Sequence, residues 1–299
     1  MPKKIFITGI SGLLGSALGT SLSNFFNIAG NARNGTFNLN KIEIYTVSIE
    51  DHAGLKRVLS SYQPDVIIHA AAMTSVQDCD QHQHEAYRIN VEASHTIADW
   101  CQKTQTRMIF TSTDLVFDGK KGHYTEKDSP CPLSRYGQTK LEAEKMVQSV
   151  LPQAVILRLS LLYGLSQTKH LCFFQQMINQ VRTGKPVHLF SDQYRTPLWI
   201  EEACRIIKEI IEKDDLSGLY HLGGSERISR YDMAFRSAPF FQLDTSYLIP
   251  TSIDTMGSKT PIARDCSLIS SRLEKDLSLQ DRPSFNASIK HLAGLTTRA

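Results

Sequence analysis

The N-terminal segment places a short apolar run directly before three regularly spaced glycines. Residues 3–8 (KKIFIT) precede Gly9, Gly12 and Gly15, and apolar residues then recur at helical spacing. This order predicts a β-strand, a tight turn and an α-helix. Such a turn lets backbone N–H groups at the helix start approach a pyrophosphate. The predicted dinucleotide contacts here are Gly9, Ser11, Gly12, Leu13 and Leu14.

The glycine spacing alone leaves two interpretations open. It is G-x-x-G-x-x-G, which differs from the G-x-G-x-x-G dinucleotide motif, so a plain strand–turn–helix unit is the alternative. The position of the turn after the first predicted strand favours a bound cofactor.

Strands and helices alternate over the first half of the chain. Apolar runs of strand length end near Ala32, Val47, Ala72, Ser112 and Tyr163, with segments of helical spacing between them. This alternation predicts an α/β fold, with a doubly wound parallel sheet of the Rossmann type.

The alternation loosens after residue 164, and prolines become frequent in the last sixty residues. We therefore predict a dinucleotide-binding domain over 1–164, to which 199–223 returns as a helix and a strand. A smaller, interleaved C-terminal lobe is predicted over 165–198 and 224–299, and this lobe is expected to bind the substrate.

Residues at the predicted strand ends indicate which nucleotide binds. Enzymes that prefer NAD usually have an acidic residue after the second strand, whereas this chain has Arg33 there. An arginine suits a 2′-phosphate, so NADP(H) is expected before NAD(H), with a solvated surface arginine as the alternative. Further predicted cofactor contacts are Ser48, Ile49, Ala70, Ala71, Ala72 and Thr111, together with Tyr136 and Lys140.

Composition narrows the class of protein. A net charge of +3 without a dense Lys/Arg run gives no reason to expect a nucleic-acid or membrane partner. The six cysteines lack Cys-x-x-Cys spacing, and the segment with His82 and His84 lacks a further ligand, so neither disulfides nor a metal site is expected. His69 is interpreted as a core histidine. No apolar run is long enough to cross a bilayer, and the expected location is the cytoplasm.

Tyr136 and Lys140 are spaced to project from one face of a helix that begins after Ser134. A nearby ammonium lowers the pKa of a phenol, which is ordinarily about 10, and so prepares it for acid–base catalysis. The pair alone is weak evidence, because a half-buried tyrosine beside a solvated lysine arises often by chance. Thr113 strengthens it, since this residue ends the predicted fifth strand at the edge where open α/β sheets bind ligands.

These features, in this chain order, resemble the extended short-chain dehydrogenases/reductases over nearly the whole chain. The resemblance implies that Thr113 binds the substrate carbonyl and that Tyr136 donates a proton. It also implies that Lys140 holds the nicotinamide ribose and lowers the pKa of Tyr136. Asn90 matches an asparagine of that group with a structural or proton-relay role.

Within that group, the chain is similar to the dTDP-4-dehydrorhamnose reductase family. The similar segments are Ala70–Thr74 (AAAMT), Ser112–Gly119 (STDLVFDG), Leu157–Ser160 (LRLS) and Asp192–Tyr194 (DQY). The chain is also similar to the regulatory beta subunit of methionine adenosyltransferase, which keeps the fold and an NADP site. The first resemblance implies a nucleotide-sugar substrate and is compatible with a homodimer. The substrate contacts that it implies are Thr74, Asp114, Phe117, Arg158, Gln193 and Arg195.

Three positions depart from the patterns of these relatives. Leu115 stands where dehydratases carry a glutamate base and reductases usually a tyrosine, so water elimination is not expected. Arg195 replaces a glycine, and the resemblance implies that it binds a diphosphate, with a surface ion pair to Glu201 or Glu202 as the alternative. Ala17 stands where some reductases bind magnesium through glutamate, so no metal is expected.

The favoured function is NADPH-dependent reduction of a 4-keto nucleotide sugar. Two roles stay open for Asp114, which either binds a sugar hydroxyl or caps the strand end. Two other functions also stay open: an epimerase with tightly held NAD, and a non-catalytic regulatory subunit that holds NADP and a partner protein.

Overall fold

The computed structural model describes residues 1–34, 39, 42–166, 168, 171–255, 257 and 261–296. The strands are β1 (Lys4–Thr8), β2 (Asn27–Ala32), β3 (Glu43–Thr46), β4 (Val66–His69), β5 (Arg107–Thr113), β6 (Val155–Leu159), β7 (Leu162–Tyr163), β8 (Val187–Phe190), β9 (Tyr194–Arg195), β10 (Leu198–Trp199), β11 (Gly218–Leu222), β12 (Ile228–Ser229) and β13 (Leu248–Thr251). The α-helices are α1 (Leu13–Leu22), α2 (His52–Tyr62), α3 (Val76–Gln81), α4 (Gln83–Tyr87), α5 (Ala93–Thr104), α6 (Arg135–Val150), α7 (Phe173–Arg182), α8 (Ile200–Glu212), α9 (Arg230–Phe241), α10 (Ser271–Asp276) and α11 (Phe285–Thr296). A π-helical turn (Arg88–Glu92) joins α4 to α5, and short 3-10 helices cover Asp114–Val116, Thr245–Tyr247 and Ile253–Thr255.

The central sheet has seven parallel strands in the order β11-β6-β5-β4-β1-β2-β3. Its strands are apolar on both faces, as in β1, where Ile5 and Ile7 enter one core and Phe6 the other. Helices α1 and α8 cover the first face, and α2, α5 and α6 the second. The predicted doubly wound Rossmann-type sheet is therefore confirmed.

The direction of winding reverses between β1 and β4, which are neighbours in the sheet although β2 and β3 separate them in the chain. In open α/β sheets, ligands bind at such a switch point, outside the carboxyl ends of the strands. The glycine turn that follows β1 lies there.

A smaller core packs α7, α9 and α11 around the parallel pair β8 and β13. Helix α8 packs on α1, and β11 pairs with β6, so residues 200–222 lie with the central sheet. Residue 273, on α10, also enters the core of that sheet, although it falls in the segment that we assigned to the small lobe.

The structure differs from the sequence expectations at several element boundaries. The helix predicted over 85–103 is interrupted by the π-helical turn, and the strand predicted over 155–163 breaks after residue 159. Helix α9 contains Pro239, in a region where we expected only short elements. Among the described residues, no helix has both the length and the apolar character to span a membrane.

Candidate active site at the carboxyl edge of the sheet

The turn after β1 needs glycine because the backbone is crowded there. Gly9 has a φ of +66°, and a Cβ added to it would lie 2.8 Å from the Cα of Ala71. A Cβ on Gly15 would lie 2.2 Å from the carbonyl oxygen of Gly9. Helix α1 starts at Leu13, and Gly12 precedes it without a capping side chain. The N–H groups of the first turn are therefore not used by a cap, which is the arrangement that binds phosphate.

The other residues predicted to contact the cofactor follow neighbouring strands at the same edge. Arg33 is exposed directly after β2, Ser48 and Ile49 follow β3, and the alanines 70–72 follow β4. Ser11, Leu13 and Leu14 lie in the β1 turn and the start of α1, and Thr111 is buried in β5. The structure thus brings these residues to one edge of the sheet.

Thr8 and His69 fix the backbone at the switch point. The Thr8 Oγ1 accepts hydrogen bonds from the N–H groups of Ala70 and Ala71, both at 3.1 Å, and lies 2.7 Å from His69 Nδ1. The other ring nitrogen of His69 lies 2.9 Å from Ser94 Oγ. Burial and the charge of Lys140 lower the pKa of His69 to about 3. The ring is therefore neutral, and His69 is a core histidine, as predicted.

Helix α6 presents Tyr136 and Lys140 as the spacing predicted. It begins at Arg135, where the Ser134 hydroxyl accepts a hydrogen bond from the Gly137 N–H at 3.2 Å. The helix start lies close to the end of β5, since a Cβ on Gly137 would be 2.2 Å from the carbonyl oxygen of Leu115. Tyr136 is 8% and Lys140 2% exposed, so neither is a solvated surface residue.

The pKa of Tyr136 is shifted in the direction opposite to our expectation. Burial raises it, and a hydrogen bond with Thr113 only partly opposes that rise. Lys140 instead lies with its Nζ 4.1 Å from the ring centroid of Phe110 and interacts with the charge of Glu144. The pKa of Tyr136 is therefore not lowered as predicted, because desolvation outweighs the hydrogen bond with Thr113. Burial also lowers the pKa of Lys140, to about 7.

Asn90, in the π-helical turn, connects the two halves of this site. Its side-chain oxygen accepts a hydrogen bond from the Met73 N–H at 2.8 Å. Its amide group donates to the Met73 carbonyl at 3.1 Å and to the hydroxyl of Thr139, on α6, at 3.0 Å. These contacts hold the loop after β4 against the tyrosine helix.

A cavity of about 660 Å³ adjoins the ends of β5 and α6. The sheet domain and the small lobe both contribute to its wall. Its lining residues are Val76, Gln77, Asp80, Gln81, Leu115, Phe117, Leu133, Ser134, Phe190, Gln193, Arg195, Arg230, Pro261, Ile262 and Ala263. Thr113 and Tyr136 do not line the cavity, but each lies two residues along the chain from a residue that does, Leu115 and Ser134 respectively.

Three charged side chains form a cluster at the cavity. Arg195 Nε lies 3.4 Å from the carboxylate of Asp114, which also accepts a hydrogen bond from Ser160 at 3.0 Å. Arg230 donates to the side chain of Gln193 at 3.2 Å. Burial raises the pKa of Asp114, while Arg195 and Arg230 oppose the rise.

The charge cluster excludes the simpler interpretation of Arg195. We had weighed a surface ion pair with Glu201 or Glu202, but Arg195 is 4% exposed and pairs with Asp114. Glu202 instead binds Arg282 at 2.7 Å.

Six residues were predicted to bind the substrate. The cavity wall includes Phe117, Gln193 and Arg195, and it does not include Thr74, Asp114 and Arg158. Arg158 is buried, and its Nη2 binds Glu144 at 2.7 Å, so its guanidinium is already neutralised and the predicted role is corrected to a structural one. Thr74 is exposed in the loop before α3. Phe117 does line the cavity and stacks on Tyr124, with ring centroids 4.0 Å apart.

Sequence reasoning missed Arg230 and Glu144. Ser229 and Asp232 form a capping box at the start of α9, a signal that could have placed Arg230 in a helical first turn. Glu144 follows Lys140 by four residues, so the helical spacing that singled out Tyr136 and Lys140 could also have included it.

Comparison with known proteins agrees with this geometry. The family model described as RmlD substrate binding domain matches residues 3–296. The chain is 31% identical over 294 residues to methionine adenosyltransferase 2 subunit beta of Bos taurus, covering 96% of this chain and 86% of that protein.

Two solved structures are similar over nearly their whole length. A hypothetical dTDP-4-dehydrorhamnose reductase of Sulfolobus tokodaii has a TM-score of 0.81 at 30% identity, with 95% of this chain and 98% of that chain covered. The dTDP-4-dehydrorhamnose reductase of Bacillus anthracis, in complex with NADP, has a TM-score of 0.88 at 23% identity, with 98% and 99% covered. This chain therefore belongs to the RmlD substrate-binding domain family and has the fold of the dTDP-4-dehydrorhamnose reductases.

Proposed function

We propose that this protein is an NADPH-dependent reductase of a 4-keto nucleotide sugar. The observation that carries the proposal is the hydrogen bond between Thr113 and Tyr136, each two residues along the chain from the wall of a cavity that Arg195 and Arg230 line. A proton donor therefore lies close in the chain to a cavity with two cations.

The residues at the carboxyl edge fit a dinucleotide. Because glycines occupy the turn after β1, its backbone can approach a pyrophosphate closely. The start of α1 has N–H groups that no capping side chain uses. Gly9, Ser11, Gly12, Leu13 and Leu14 would hold the phosphates, and exposed Arg33 would bind a 2′-phosphate. Ser48, Ile49, alanines 70–72 and Thr111 would line the remainder, with Lys140 at the nicotinamide ribose. When bound, NADPH supplies the hydride.

Tyr136 donates the proton in this proposal. The phenol is protonated at neutral pH, so it has a proton to give to an oxygen that gains negative charge. Burial raises its pKa, so the transfer depends on the charge that the oxygen gains as hydride arrives. Thr113 orients the same oxygen from the end of β5. Lys140 is assigned to the cofactor and not to the phenol, since burial rather than the charge of Lys140 decides the pKa of Tyr136.

Arg195 and Arg230 bind the diphosphate of the substrate. Guanidinium groups suit phosphate oxygens because they offer forked hydrogen bonds. Asp114 neutralises only part of their charge, since two cations face one carboxylate. Gln193 and Phe117 complete this part of the wall, and Leu115, which cannot accept a proton, argues against water elimination.

The proposal divides the chain into two functional parts. Residues 1–164 and 199–223 hold the cofactor, and 165–198 and 224–299 hold most of the substrate. The carboxyl edge of the sheet belongs to the first part, and both parts contribute residues to the cavity wall, with the two arginines coming from the second.

Similarity to the beta subunit of methionine adenosyltransferase supports a second candidate, a regulatory subunit without turnover. The two candidates differ in one measurement. With dTDP-4-dehydrorhamnose the reductase is expected to oxidise NADPH, and with UDP-glucose, which has no ketone to accept the hydride, it is not. A regulatory subunit binds NADPH without consuming it in either case. An epimerase would instead copurify with tightly held NAD.

The decisive variant is Tyr136→Phe, which removes the proton donor and keeps the ring. We expect kcat/KM for NADPH oxidation to fall by about 100-fold or more, with NADPH affinity unchanged. Tyr247→Phe, in the small lobe, is the matched control. If Tyr136→Phe retains most of the rate, the assignment of the acid is wrong.

A further inference from the structure

Helix α6 carries a third polar residue on the face that presents Tyr136 and Lys140. Glu144 follows Lys140 by one helical turn and is only 4% exposed. A carboxylate buried this deeply is costly unless other groups compensate its charge. The contacts of Glu144 therefore indicate what it does.

Glu144 binds one residue from each of two neighbouring strands. Its carboxylate accepts hydrogen bonds from Arg158 Nε at 3.0 and 3.2 Å and from Arg158 Nη2 at 2.7 Å. It also accepts a hydrogen bond from Ser112 Oγ at 2.5 Å. Ser112 lies in β5 and Arg158 in β6, so a single side chain ties the tyrosine helix to both strands.

The same carboxylate acts on Lys140. Burial disfavours the charged ammonium of Lys140, and the charge of Glu144 opposes that effect. Two other titratable groups lie near Lys140. Tyr136, one turn earlier on α6, is uncharged because burial raises its pKa, and His69 on β4 is neutral because burial lowers its pKa. His221 on β11, 3.5 Å from Arg158, is neutral for the same reason. The positive charge of Arg158 is paired with Glu144.

We propose that Glu144 is a positioning residue, which keeps Lys140 charged and fixes α6 against β5 and β6 so that Tyr136 stands beside Thr113. This inference rests on the proposed function, because it assigns Lys140 to the nicotinamide ribose. Arg158 then serves as the counter-ion that makes a buried carboxylate tolerable at this place.

The test is the pH dependence of NADPH binding, measured by fluorescence titration of wild type and Glu144→Gln. Charged Lys140 favours binding, so affinity should fall as pH rises through the pKa of Lys140. Without the carboxylate, this fall should occur at a pH lower by on the order of one unit. Glu142→Gln, the same change on the exposed side of α6, should leave the profile unchanged.

A purely structural role predicts a different result. Glu144→Gln would then weaken NADPH binding by the same factor at every pH, and that outcome overturns the inference. Because Glu144→Gln leaves Arg158 without a partner, the variant can fail to fold. The double variant Glu144→Gln/Arg158→Gln leaves no unpaired charge, and its profile should shift in the same direction, since Glu144 is the group that acts on Lys140. An unshifted profile in the folded double variant also overturns the inference.

The two proposals can fail separately. If the variant profiles shift as expected but the wild-type protein reduces no keto sugar, the proposed reductase is overturned and the role of Glu144 is supported. If the wild type reduces dTDP-4-dehydrorhamnose but the variant profiles do not shift, the reductase is supported and the role of Glu144 is overturned.

Discussion

The carboxyl edge of the sheet and the wall of the cavity are built by different means. At the edge, the shape comes from the backbone, since Gly9 packs on Ala71 so closely that a Cβ would not fit. At the cavity wall, long side chains such as Arg195 and Arg230 provide the chemistry, held by contacts to Asp114 and Gln193. Substitutions that add atoms should therefore have large effects at the edge of the sheet, and substitutions that remove a charge should have large effects at the cavity wall.

The largest effect is expected for Gly9→Ala. The added Cβ would overlap the backbone of Ala71, and residue 9 would keep a φ that alanine disfavours. The free energy of unfolding should therefore fall by about 4 kcal/mol. Gly184→Ala is the control, because Gly184 has a φ of +69° but its nearest neighbour, the Tyr247 hydroxyl, lies 3.5 Å from an added Cβ. That change should cost about 1 kcal/mol in urea unfolding. Equal losses at the two sites would show that the close approach to Ala71 is unimportant.

Lys140 lies between the two regions, and its burial predicts how stability depends on pH. Its pKa is about 7 when folded, against an ordinary value of 10.5. Below pH 7 the lysine is charged in the folded and in the unfolded chain, so the folded chain bears the full cost of burying a charge. Between pH 7 and 10.5 the unfolded chain keeps the proton that the folded chain has released, so the free energy of unfolding rises with pH.

Lys140→Met should therefore be more stable than wild type near pH 6, by about 3 kcal/mol, and the difference should shrink as pH rises towards 10. Urea unfolding of both proteins across this range measures it. A difference that does not vary with pH would mean that the lysine keeps its ordinary pKa.

At the cavity wall, Arg195→Met should weaken the binding of the nucleotide sugar by about 30-fold, or about 2 kcal/mol, because a charged hydrogen bond is lost. The affinity for NADPH should not change. Arg272→Met, an exposed arginine stacked on Tyr220, is the control. An equal loss of affinity for the nucleotide sugar and for NADPH would mean that Arg195 does not act on the substrate alone.

The smallest effect is expected where the edge does use a side chain. Arg33 is exposed after β2, so Arg33→Ala should weaken NADPH binding by about fivefold, or about 1 kcal/mol, and leave NADH binding unchanged. Calorimetry with the two nucleotides separates these outcomes. Equal weakening of both would place Arg33 away from the 2′-phosphate.

The contrast between the regions also explains what the sequence could predict. The glycine turn and the pair Tyr136 and Lys140 are local patterns, so residue spacing indicated the fold and the helix face. Arg230 lies 35 residues beyond Arg195, and only the pairing of β9 with β12 brings their segments together. The spacing of residues along the chain therefore could not predict that contact.

Electrostatic predictions failed where burial was decisive. The spacing correctly placed Lys140 one turn from Tyr136, but the phenol pKa depends on how much water surrounds it, which a local pattern does not report. Arg158 was misassigned for a related reason. Its motif resembles that of substrate-binding relatives, yet β6 lies against α6, where Glu144 binds the guanidinium.

The π-helical turn at 88–92 fixes where Asn90 lies. A π-turn contains one residue more than a regular α-helix needs. Deleting one residue there would restore the regular helix, and because the wide turn absorbs the extra residue, α4 and α5 would keep their angular positions. The change would fall on the turn itself, where Asn90 contacts Met73 and Thr139. The wide turn is thus what lets one amide hold the loop after β4 and helix α6 at the same time.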